Sequence, residues 1–281
     1  MKENMLAVLA FAVLAQGIVN EPVANMYSKP TRETDVVSQA IYGTAVGVIE
    51  QRGGWAKVRT PDDYTGWMEE TALRKLAAGE KPYAAAGRVA MVESTFANLY
   101  REPDVTTYAP LLTVPFETRL VVVEEPKDNP RWMRIVLVDG RPAWVQRGDV
   151  TLDPAPLSVD AAIALAKRFL GLPYLWGGTS TFGYDCSGFV QMLYRRMGVL
   201  LPRDAKPQAD WRGLVPVERK NLRPGDLLYF GASVQKITHT GMYIGGGEFI
   251  NATTHEHPVV RIDKLDEPVW TKLLVAARRL K

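Results

Sequence analysis

The sequence predicts an α+β domain that follows two small all-β barrels. Two observations lead to this fold class. A pattern of short alternating stretches occurs twice in the first half of the chain, and the second half places helical patterns before a run of strand patterns. With 281 residues the chain exceeds one typical domain, and 47% hydrophobic and 23% charged residues are ordinary for a globular protein. The chain can therefore bury more than one core.

Charge, cysteine and histidine content exclude several classes of function. The formal net charge is +3, and no run of lysine and arginine is long enough to indicate a nucleic-acid surface, so no nucleic-acid partner is expected. A single cysteine, Cys186, rules out an intramolecular disulfide and a multi-cysteine zinc site. His255 and His257 lie in a predicted loop with too few neighbouring ligands for a metal, so a solvated loop is favoured. We expect no metal, no other cofactor and a monomer.

The N-terminal segment bears on where the protein acts. Residues 5–15 form an unbroken apolar run, which is too short to span a bilayer but fits the hydrophobic region of a signal peptide. Glu3 and the lack of a clean small-x-small cleavage site argue for the alternative, a buried segment at the start of the first domain. If residues 1–16 are a signal peptide, the protein is exported to the periplasm or cell envelope; otherwise it is cytoplasmic. No stable membrane span is expected.

An internal repeat divides the first half of the chain. Ala-Asn-Met-Tyr at residues 24–27 recurs as Ala-Asn-Leu-Tyr at residues 97–100, an offset of 73 residues. Tryptophan motifs recur at an offset of 77 residues, matching Trp55 with Trp132 and Trp67 with Trp144. The second copy therefore carries a small insertion.

Each copy predicts a small barrel of antiparallel strands. Short alternating stretches are cut by Gly, Pro, Asp and Asn, which is typical of strands joined by tight turns. We assign the first barrel to residues 17–79 and the second to residues 83–152, with linker sequence at residues 77–86. Trp67 and Trp144 are predicted to belong to the barrel cores. Tyr64 precedes a strand on a predicted loop and is the better candidate for contact with a ligand.

Prolines at residues 154 and 156 mark a second boundary, and we assign residues 156–281 to a third domain. Ser158 is the predicted N-cap of a helix that ends at Gly171. A second helix is predicted to start near Cys186 and to end at Gly198, with one apolar face formed by Phe189, Met192, Leu193 and Met197. A polar, irregular segment follows at residues 202–225. Strand patterns then occupy residues 226–230, 238–244, 248–252, 259–262 and 273–277.

Cys186 lies in the first turn of the second predicted helix, after a glycine-containing loop at residues 173–178. The unpaired N–H groups and the positive end of the helix dipole at that position favour a thiolate over a thiol. A buried structural cysteine is the alternative for any lone cysteine. A nucleophilic cysteine needs a base within hydrogen-bond reach and a third group that orients the base.

His239 is the histidine that the strand pattern places best for the role of base. Its strand runs into three glycines at residues 245–247, which predict a turn into a second strand. If the two strands pair across a turn centred on Gly245, His239 lies directly opposite Asn251 on the same face. The amide of Asn251 can accept the ring N–H and fix the tautomer. This predicts a Cys-His-Asn arrangement of the papain-like kind.

Five motifs, in order, resemble those of the NlpC/P60 family of cell-wall cysteine peptidases. They are Tyr174-x-Trp176-Gly177-Gly178, Asp185-Cys186-Ser187-Gly188-Phe189-Val190, Leu201-Pro202-Arg203, Leu222-x-Pro224-Gly225-Asp226-Leu227 and His239-x-Gly241-x-Tyr243-Ile244. The resemblance covers residues 156–281, and the order of the motifs makes it far more specific than any one motif. The two repeats in front resemble bacterial SH3 (SH3b) domains. The whole chain is therefore similar to the subgroup that acts as γ-D-glutamyl-L-diamino acid endopeptidases.

The resemblance implies a substrate and a set of roles. The bond cleaved would join γ-D-glutamate to meso-diaminopimelate or lysine in peptidoglycan stem peptides or muropeptides, with a preference for a free N-terminal L-alanine. Cys186 would be the nucleophile, His239 the general base and acid, and Asn251 the third residue. Asp185 and Ser187 would hold the ammonium end of the substrate, because a carboxylate pairs with a cationic amine. The implied substrate-binding residues are Tyr64, Tyr174, Trp176, Asp185, Ser187 and Arg203.

Two positions depart from the family pattern. Asn251 stands where the third residue is most often histidine; an amide can orient an imidazole without carrying charge, so we expect activity to survive. Ala205 stands where many members have serine, which removes a hydroxyl from the expected ammonium pocket. Two alternatives to this function stay open at this point: a catalytically silent wall-binding protein whose SH3b pair does the binding, and an amidase or acyltransferase on the same scaffold.

Overall fold

The computed structural model describes residues 15–77 and 79–281, which fall into two compact units. The first unit ends at Pro154 and the second begins at Ala155. The predicted signal peptide lies outside the described residues, apart from Ala15 and Gln16, which open the first strand. Within the described ranges, no helix combines the length and the apolar character that a membrane crossing requires.

Seven strands pair antiparallel in the first described sheet. In chain order they are β1 (Ala15–Val19), β2 (Val23–Tyr27), β3 (Val36–Ile41), β4 (Ala45–Arg52), β5 (Trp55–Arg59), β6 (Thr65–Glu69) and β7 (Leu73–Lys75). Their spatial order is β3-β2-β6-β5-β4-β1-β7. In β2 and β5 every second residue is buried, as expected for strands with one face on a core.

A second sheet of seven strands follows in the same unit. Its strands are β8 (Arg88–Val92), β9 (Phe96–Tyr100), β10 (Leu112–Pro115), β11 (Arg119–Glu124), β12 (Trp132–Val136), β13 (Pro142–Gln146) and β14 (Val150–Leu152). The spatial order is β10-β9-β13-β12-β11-β8-β14, which is the order of the first sheet with every strand number raised by seven. The repeat in the sequence is therefore also a repeat of topology.

The repeat extends to a pair of aromatic side chains. Tyr27 lies edge-on to Trp55, with ring centroids 5.4 Å apart and ring planes at 89°. Tyr100 and Trp132 repeat this pair at 5.5 Å and 89°. Such edge-to-face geometry is favoured by the quadrupoles of the two rings. The two sheets thus share a packing detail as well as a strand order.

The prediction that Trp67 and Trp144 belong to the barrel cores holds only for the first of them. Trp67 is 9% exposed, and the guanidinium of Arg52 lies 5.9 Å from its ring centroid. Trp144 is only half-buried. Smaller apolar side chains, among them Met26 and Val58, form the hydrophobic cluster of the first sheet.

One hydrophobic cluster joins the two sheets of the first unit. Ile18 and Tyr42, from the first copy, pack among buried residues of the second copy. The hydroxyl of Tyr42 accepts the backbone N–H of Val138 at 2.7 Å. In the predicted linker, the hydroxyl of Tyr83 donates to the carbonyl of Val136 at 2.6 Å, and its ring lies edge-on to Tyr42. The linker is therefore anchored by specific contacts.

The second unit has the predicted α+β layout. Within residues 155–281, all described, the helices are α1 (Val159–Arg168), α2 (Cys186–Arg196), α3 (Ala205–Asp210) and α4 (Pro268–Leu273). The strands are β15 (Thr179–Ser180), β16 (Gly183–Tyr184), β17 (Leu214–Pro216), β18 (Leu227–Ser233), β19 (Lys236–Gly245), β20 (Glu248–Thr253), β21 (Val259–Lys264) and β22 (Leu274–Leu280). The main sheet has the order β17-β22-β18-β19-β20-β21 and is antiparallel throughout.

The predicted start of α1 and the predicted end of α2 are confirmed, whereas α1 ends at Arg168, before the predicted Gly171. The hydroxyl of Ser158 accepts the N–H of Ala161 at the start of α1. Gly198 follows α2 with φ of +83°, the left-handed conformation of a C′ glycine. Along α2 every residue except Arg195 is buried, because α1 packs on one side and strands β19 and β20 pack on another.

The segment at residues 202–225, predicted to be irregular, contains the short helix α3 and the edge strand β17. Helix α4 was also missed by the sequence patterns. Both helices have only six residues, which is less than two turns and too short for a helical period to be recognised.

Candidate active site

The N-terminus of α2 fixes the position of Cys186. Asp185 is the N-cap, and its carboxylate accepts the N–H of Gly188 at 2.7 Å. Gly188 packs against the glycine loop so closely that a Cβ atom there would overlap the carbonyl oxygen of Gly178. Cys186 itself is 7% exposed. The glycines of the motif therefore allow the helix and loop to meet directly at the cysteine.

Asp185 is the centre of a buried polar cluster beside Cys186. The guanidinium of Arg203 donates to both of its carboxylate oxygens, at 3.1 and 2.6 Å, and the side chain of Arg203 is 1% exposed. The backbone N–H of Gly177 donates to the same carboxylate at 3.1 Å. Ser187 lies within the cluster, since its hydroxyl donates to Asp185 and accepts from Arg203. The charge of Asp185 is thus already paired within the protein.

Strands β19 and β20 carry His239 and Asn251, but in a different register from the predicted one. Met242 pairs with Ile250, and the turn consists of the two residues 246–247, both glycines with positive φ. At this register Asn251 is opposite Gly241, and His239 lies diagonally across from it. The prediction that His239 and Asn251 are direct partners is wrong, because the turn is centred later than Gly245.

Gly241 compensates for the diagonal placement. A Cβ atom at Gly241 would lie 3.0 Å from the Cβ of Asn251 and 2.7 Å from the ring of Phe249. Because glycine leaves that space open, the side chain of Asn251 reaches back to His239, and its Oδ1 lies 2.8 Å from Nε2 of the imidazole. The His-Gly spacing of the fifth motif thus permits the contact.

Aromatic rings enclose the imidazole of His239. The indole of Trp270, on α4, is stacked on it with centroids 5.3 Å apart and planes at 25°. Phe230 packs on the imidazole at 5.6 Å, and His255 lies edge-on to the indole of Trp270 at 5.4 Å. Sequence analysis did not single out Trp270 or Phe230. No local pattern marks them, since only the fold brings α4 and β18 to His239.

The sulfur of Cys186 lies beside the histidine strand. The backbone N–H groups of Thr240 and Ser187 interact with it and act to lower its pKa, and Thr240 directly follows His239. Burial and the nearby charge of Asp185 nevertheless raise the pKa of the Cys186 thiol to about 12. The expectation of a resting thiolate is therefore wrong, because desolvation outweighs the N–H groups at the start of α2. The raised pKa favours the neutral thiol at neutral pH.

The imidazole of His239 is neutral as well. Burial lowers its pKa to about 4, although the hydrogen bond to Asn251 and the charge of Asp185 act in the opposite direction. At neutral pH a neutral imidazole can accept a proton, so the resting pair is a thiol and a base. Such a pair allows proton transfer to accompany attack by the sulfur.

The pKa of His239 predicts where activity is lost in acid. A neutral base is present above pH 4 and is lost as pH falls through that value, so kcat/KM should hold down to about pH 5, well below the 6.5 of an ordinary histidine. The groups facing the imidazole are Asp185, His255, Asn251, Trp270 and Phe230. The measurement is kcat/KM from pH 3.5 to 8 on a stem peptide.

Far-UV circular dichroism at each pH is the control for acid unfolding. An acid limb centred near pH 6.5 in the folded enzyme would contradict the burial argument. A narrow bell with both limbs below pH 9 would show a preformed thiolate–imidazolium pair instead of two neutral groups.

The other predicted site residues lie at different depths. Tyr174 is half-buried, and burial, together with the negative charge of Asp185, raises its pKa, so its hydroxyl stays protonated. Trp176 is 67% exposed on the same loop. Tyr64 belongs to the first unit, where it lies before β6 and packs against the core of that sheet. Its assignment to the substrate site stays a prediction.

Comparisons with known proteins place this geometry in a family. The NlpC/P60 family matches residues 171–279, and the bacterial dipeptidyl-peptidase Sh3 domain matches residues 26–73. The chain is 34% identical over 269 residues to a γ-D-glutamyl-L-lysine dipeptidyl-peptidase of Bacillus cereus, covering 89% of this chain and 76% of that protein. The chain belongs to the NlpC/P60 family. Members of the NlpC/P60 family are cysteine peptidases, so this chain is an enzyme of that class.

Two further NlpC/P60 relatives agree with this placement. The γ-D-glutamyl-L-lysine dipeptidyl-peptidase of Bacillus subtilis is 32% identical over 254 residues, covering 87% of this chain and 81% of that protein. The crystal structure of an NlpC/P60 family protein from Bacillus cereus superposes with a TM-score of 0.81 at 28% identity, covering 95% of this chain and 99% of that one. The predicted NlpC/P60 catalytic fold and an SH3-type N-terminal domain are confirmed.

Proposed function

We propose that this peptidase cleaves the bond between γ-D-glutamate and the diamino acid of peptidoglycan stem peptides. The observation that carries the proposal is the placement of Cys186 at the start of a buried helix, with its sulfur against the strand of His239, whose ring contacts Asn251. Two relatives that share most of the chain are named for the γ-D-glutamyl-L-lysine bond, which supports this choice of substrate. Lysine and meso-diaminopimelate are both candidates for the diamino acid.

The proposed reaction is acyl transfer through a thioester. The sulfur of Cys186 attacks the γ-carbonyl carbon while its proton passes to His239. The protonated imidazole then gives that proton to the departing amine of the diamino acid, and the C–N bond breaks. Water, deprotonated by His239, attacks the thioester carbonyl and releases the γ-D-glutamyl carboxylate and the thiol. Asn251 orients the imidazole in each step.

The oxyanion of each tetrahedral intermediate needs donors that are in place beforehand. We assign this role to the backbone N–H of Cys186 at the start of α2 and to the hydroxyl of Tyr174. The raised pKa of Tyr174 keeps that hydroxyl protonated at the pH of the reaction. The exposed indole of Trp176, two residues further on, is proposed to line the cleft.

The cluster of Asp185, Ser187 and Arg203 is proposed to hold the amino end of the substrate. Asp185 and Ser187 flank the nucleophile in the sequence and all three residues are buried, which suits recognition of a short peptide end. Because Arg203 already pairs with both oxygens of Asp185, an incoming ammonium shares the carboxylate instead of having it alone. Ala205, 8% exposed at the start of α3, adds no hydroxyl to this pocket.

Digestion of defined peptides tests the bond and the amino-end pocket together. We expect L-Ala-γ-D-Glu-L-Lys and its diaminopimelate analogue to release L-Ala-γ-D-Glu. N-acetylation should lower kcat/KM about tenfold or more, since one charge-assisted hydrogen bond contributes about 1.5–3 kcal/mol. Mass spectrometry identifies the products and so distinguishes an endopeptidase from an amidase or an acyltransferase.

A matched variant sharpens this test. Ala205→Ser restores the hydroxyl common in the family. We therefore expect the ratio of kcat/KM for the free peptide to kcat/KM for the N-acetylated peptide to be larger than in the wild type. Equal cleavage of free and acetylated peptides by the wild type would contradict recognition of the amino end, while leaving the assignment of the bond intact.

We also propose that residues 83–152 form a second SH3b domain after a first one at residues 17–79, with the peptidase domain at residues 156–281. The support is the identical strand order of the two sheets and the repeated Tyr-Trp pair. Duplication of one SH3b domain explains why the two sheets have the same strand order.

A further inference from the structure

The amide of Asn251 has partners in addition to His239. Its Nδ2 donates to the carboxylate of Asp263 at 2.9 Å and, at the longer distance of 3.4 Å, to the backbone carbonyl of Arg261. Asp263 lies on β21, next to β20 in the sheet, and is 1% exposed. Its other carboxylate oxygen lies 2.8 Å from the guanidinium of Arg261, two residues earlier on the same strand. A buried charge thus lies directly behind the amide that contacts the catalytic imidazole.

The two ends of an asparagine amide differ only in whether they donate or accept. Alone, the side chain of Asn251 could present either Oδ1 or Nδ2 to His239. A carboxylate accepts hydrogen bonds and donates none, so Asp263 holds the Nδ2 end on its own side. Oδ1 must then face His239 and accept a proton from Nε2. The imidazole is left with an unprotonated Nδ1, which is the nitrogen able to serve as base.

We propose that Asp263 is a positioning residue of the peptidase, acting through Asn251 to fix the tautomer of His239. The expected effect of Asp263 on kcat rests on the proposed function. Its effect on the tautomer of His239 rests on the geometry alone. It also accounts for the use of Asn251 in place of an ionisable third residue. The amide carries no charge, and Asp263 supplies a negative charge one hydrogen bond further from the imidazole.

Burial of the Asp263 carboxylate costs free energy. A fully buried carboxylate loses its hydration and must be paired. Arg261 supplies that pairing while remaining 24% exposed, and it also binds Glu256 on the surface. Arg261 pairs with Oδ1 of Asp263, and Oδ2 accepts the hydrogen bond from Asn251.

Asp263→Asn is the decisive variant because it keeps the size of the side chain. The new amide can donate to Oδ1 of Asn251, so Asn251 can turn its Nδ2 toward His239 and stabilise the wrong tautomer. We expect kcat to fall about tenfold or more with KM nearly unchanged, as is common when a partner that orients an active-site ligand is lost. Asp266→Asn, the same change at an exposed carboxylate three residues later, is the matched control and should leave kcat unchanged.

A double-variant cycle distinguishes positioning from a general structural effect. In an Asn251→Ala background Asp263 has no amide to orient, so Asp263→Asn should cause little further loss of kcat. If Asp263→Asn lowers kcat by the same factor in both backgrounds, the residue does not act through Asn251 and the proposal is overturned.

Nitrogen-15 NMR of the imidazoles tests the inference without any substrate. The chain has three histidines, so His239 can be assigned by comparison with His255→Gln and His257→Gln. We expect Nε2 protonated and Nδ1 unprotonated in the wild type above pH 6, and a shift toward the Nδ1-protonated form in Asp263→Asn. An unchanged tautomer would overturn the inference. Failure of the wild type to cleave any stem peptide would instead overturn the proposed function and leave this reading of the tautomer standing.

Discussion

Cys186→Ala should abolish hydrolysis of L-Ala-γ-D-Glu-L-Lys, with kcat/KM reduced on the order of 10⁴-fold or more. The magnitude follows from the loss of the nucleophile in an enzyme whose nucleophile and base act as one unit. Cys186 is the one cysteine of the chain, so no other thiol can replace it. The measurement is product formation by mass spectrometry over a long incubation at high enzyme concentration.

The control for this variant is Cys186→Ser, which keeps a nucleophilic atom at nearly the same position. Its hydroxyl is harder to deprotonate than a thiol, and the lowered pKa of His239 makes the imidazole a weak base, so the serine enzyme should also be nearly inactive. Both variants should still bind sacculi and unfold near the wild-type temperature. Undiminished turnover by Cys186→Ala would remove the cysteine from the mechanism, and a wild type that binds sacculi without turnover would favour a silent binding protein.

Arg203→Met should be the most destabilising substitution near the site. It leaves the carboxylate of Asp185 buried without its guanidinium, and breaking a buried pair from one side costs about 3–5 kcal/mol. The remaining backbone N–H donors from Gly177 and Gly188 offset only part of that cost. The expected result is a lower denaturant midpoint for unfolding of the second unit. A spectroscopic probe within residues 155–281 monitors that transition.

Two variants separate charge from packing in this prediction. Asp185→Asn combined with Arg203→Met removes both charges and should recover part of the lost stability. Lys220→Met breaks an ion pair whose side chains are 79% and 69% exposed, and it should change stability by less than about 1 kcal/mol. Equal losses for Arg203→Met and Lys220→Met would show that burial of the Asp185 pair contributes little.

Much of the fold was accessible from the sequence because it depends on local patterns. The capping of α1 by Ser158 and the end of α2 at Gly198 each follow from the conformational preference of one residue. The five strands after residue 225 were predicted from apolar periodicity. Helices α3 and α4 were not, since six residues give no measurable period.

The site was predictable to the extent that it lies along the chain. Cys186 and Asp185 are neighbours, the order of motifs identifies His239, and the predicted hairpin after His239 identifies Asn251. The contact between the last two survives a wrong register because both predicted and observed pairings keep them on one face of the sheet.

Contacts that depend on tertiary structure were not predictable. The bidentate pairing of Asp185 with Arg203 joins α2 to a loop beyond it, and the stacking of Trp270 on His239 requires α4 to cross the sheet. The resting charge state was wrong for the same reason. Burial of Cys186 is set by the whole domain, and it outweighs the local effect of the helix terminus.

The sequence repeats one sheet at a time, but the cluster that joins the two sheets of the first unit makes them fold together. Because Ile18 and Tyr42 of the first copy complete the core of the second, cutting the chain within the linker would expose apolar surface on both fragments. Neither copy is then a self-sufficient module, although each has a full set of strands. Gene fusions and truncations should therefore keep the two copies together.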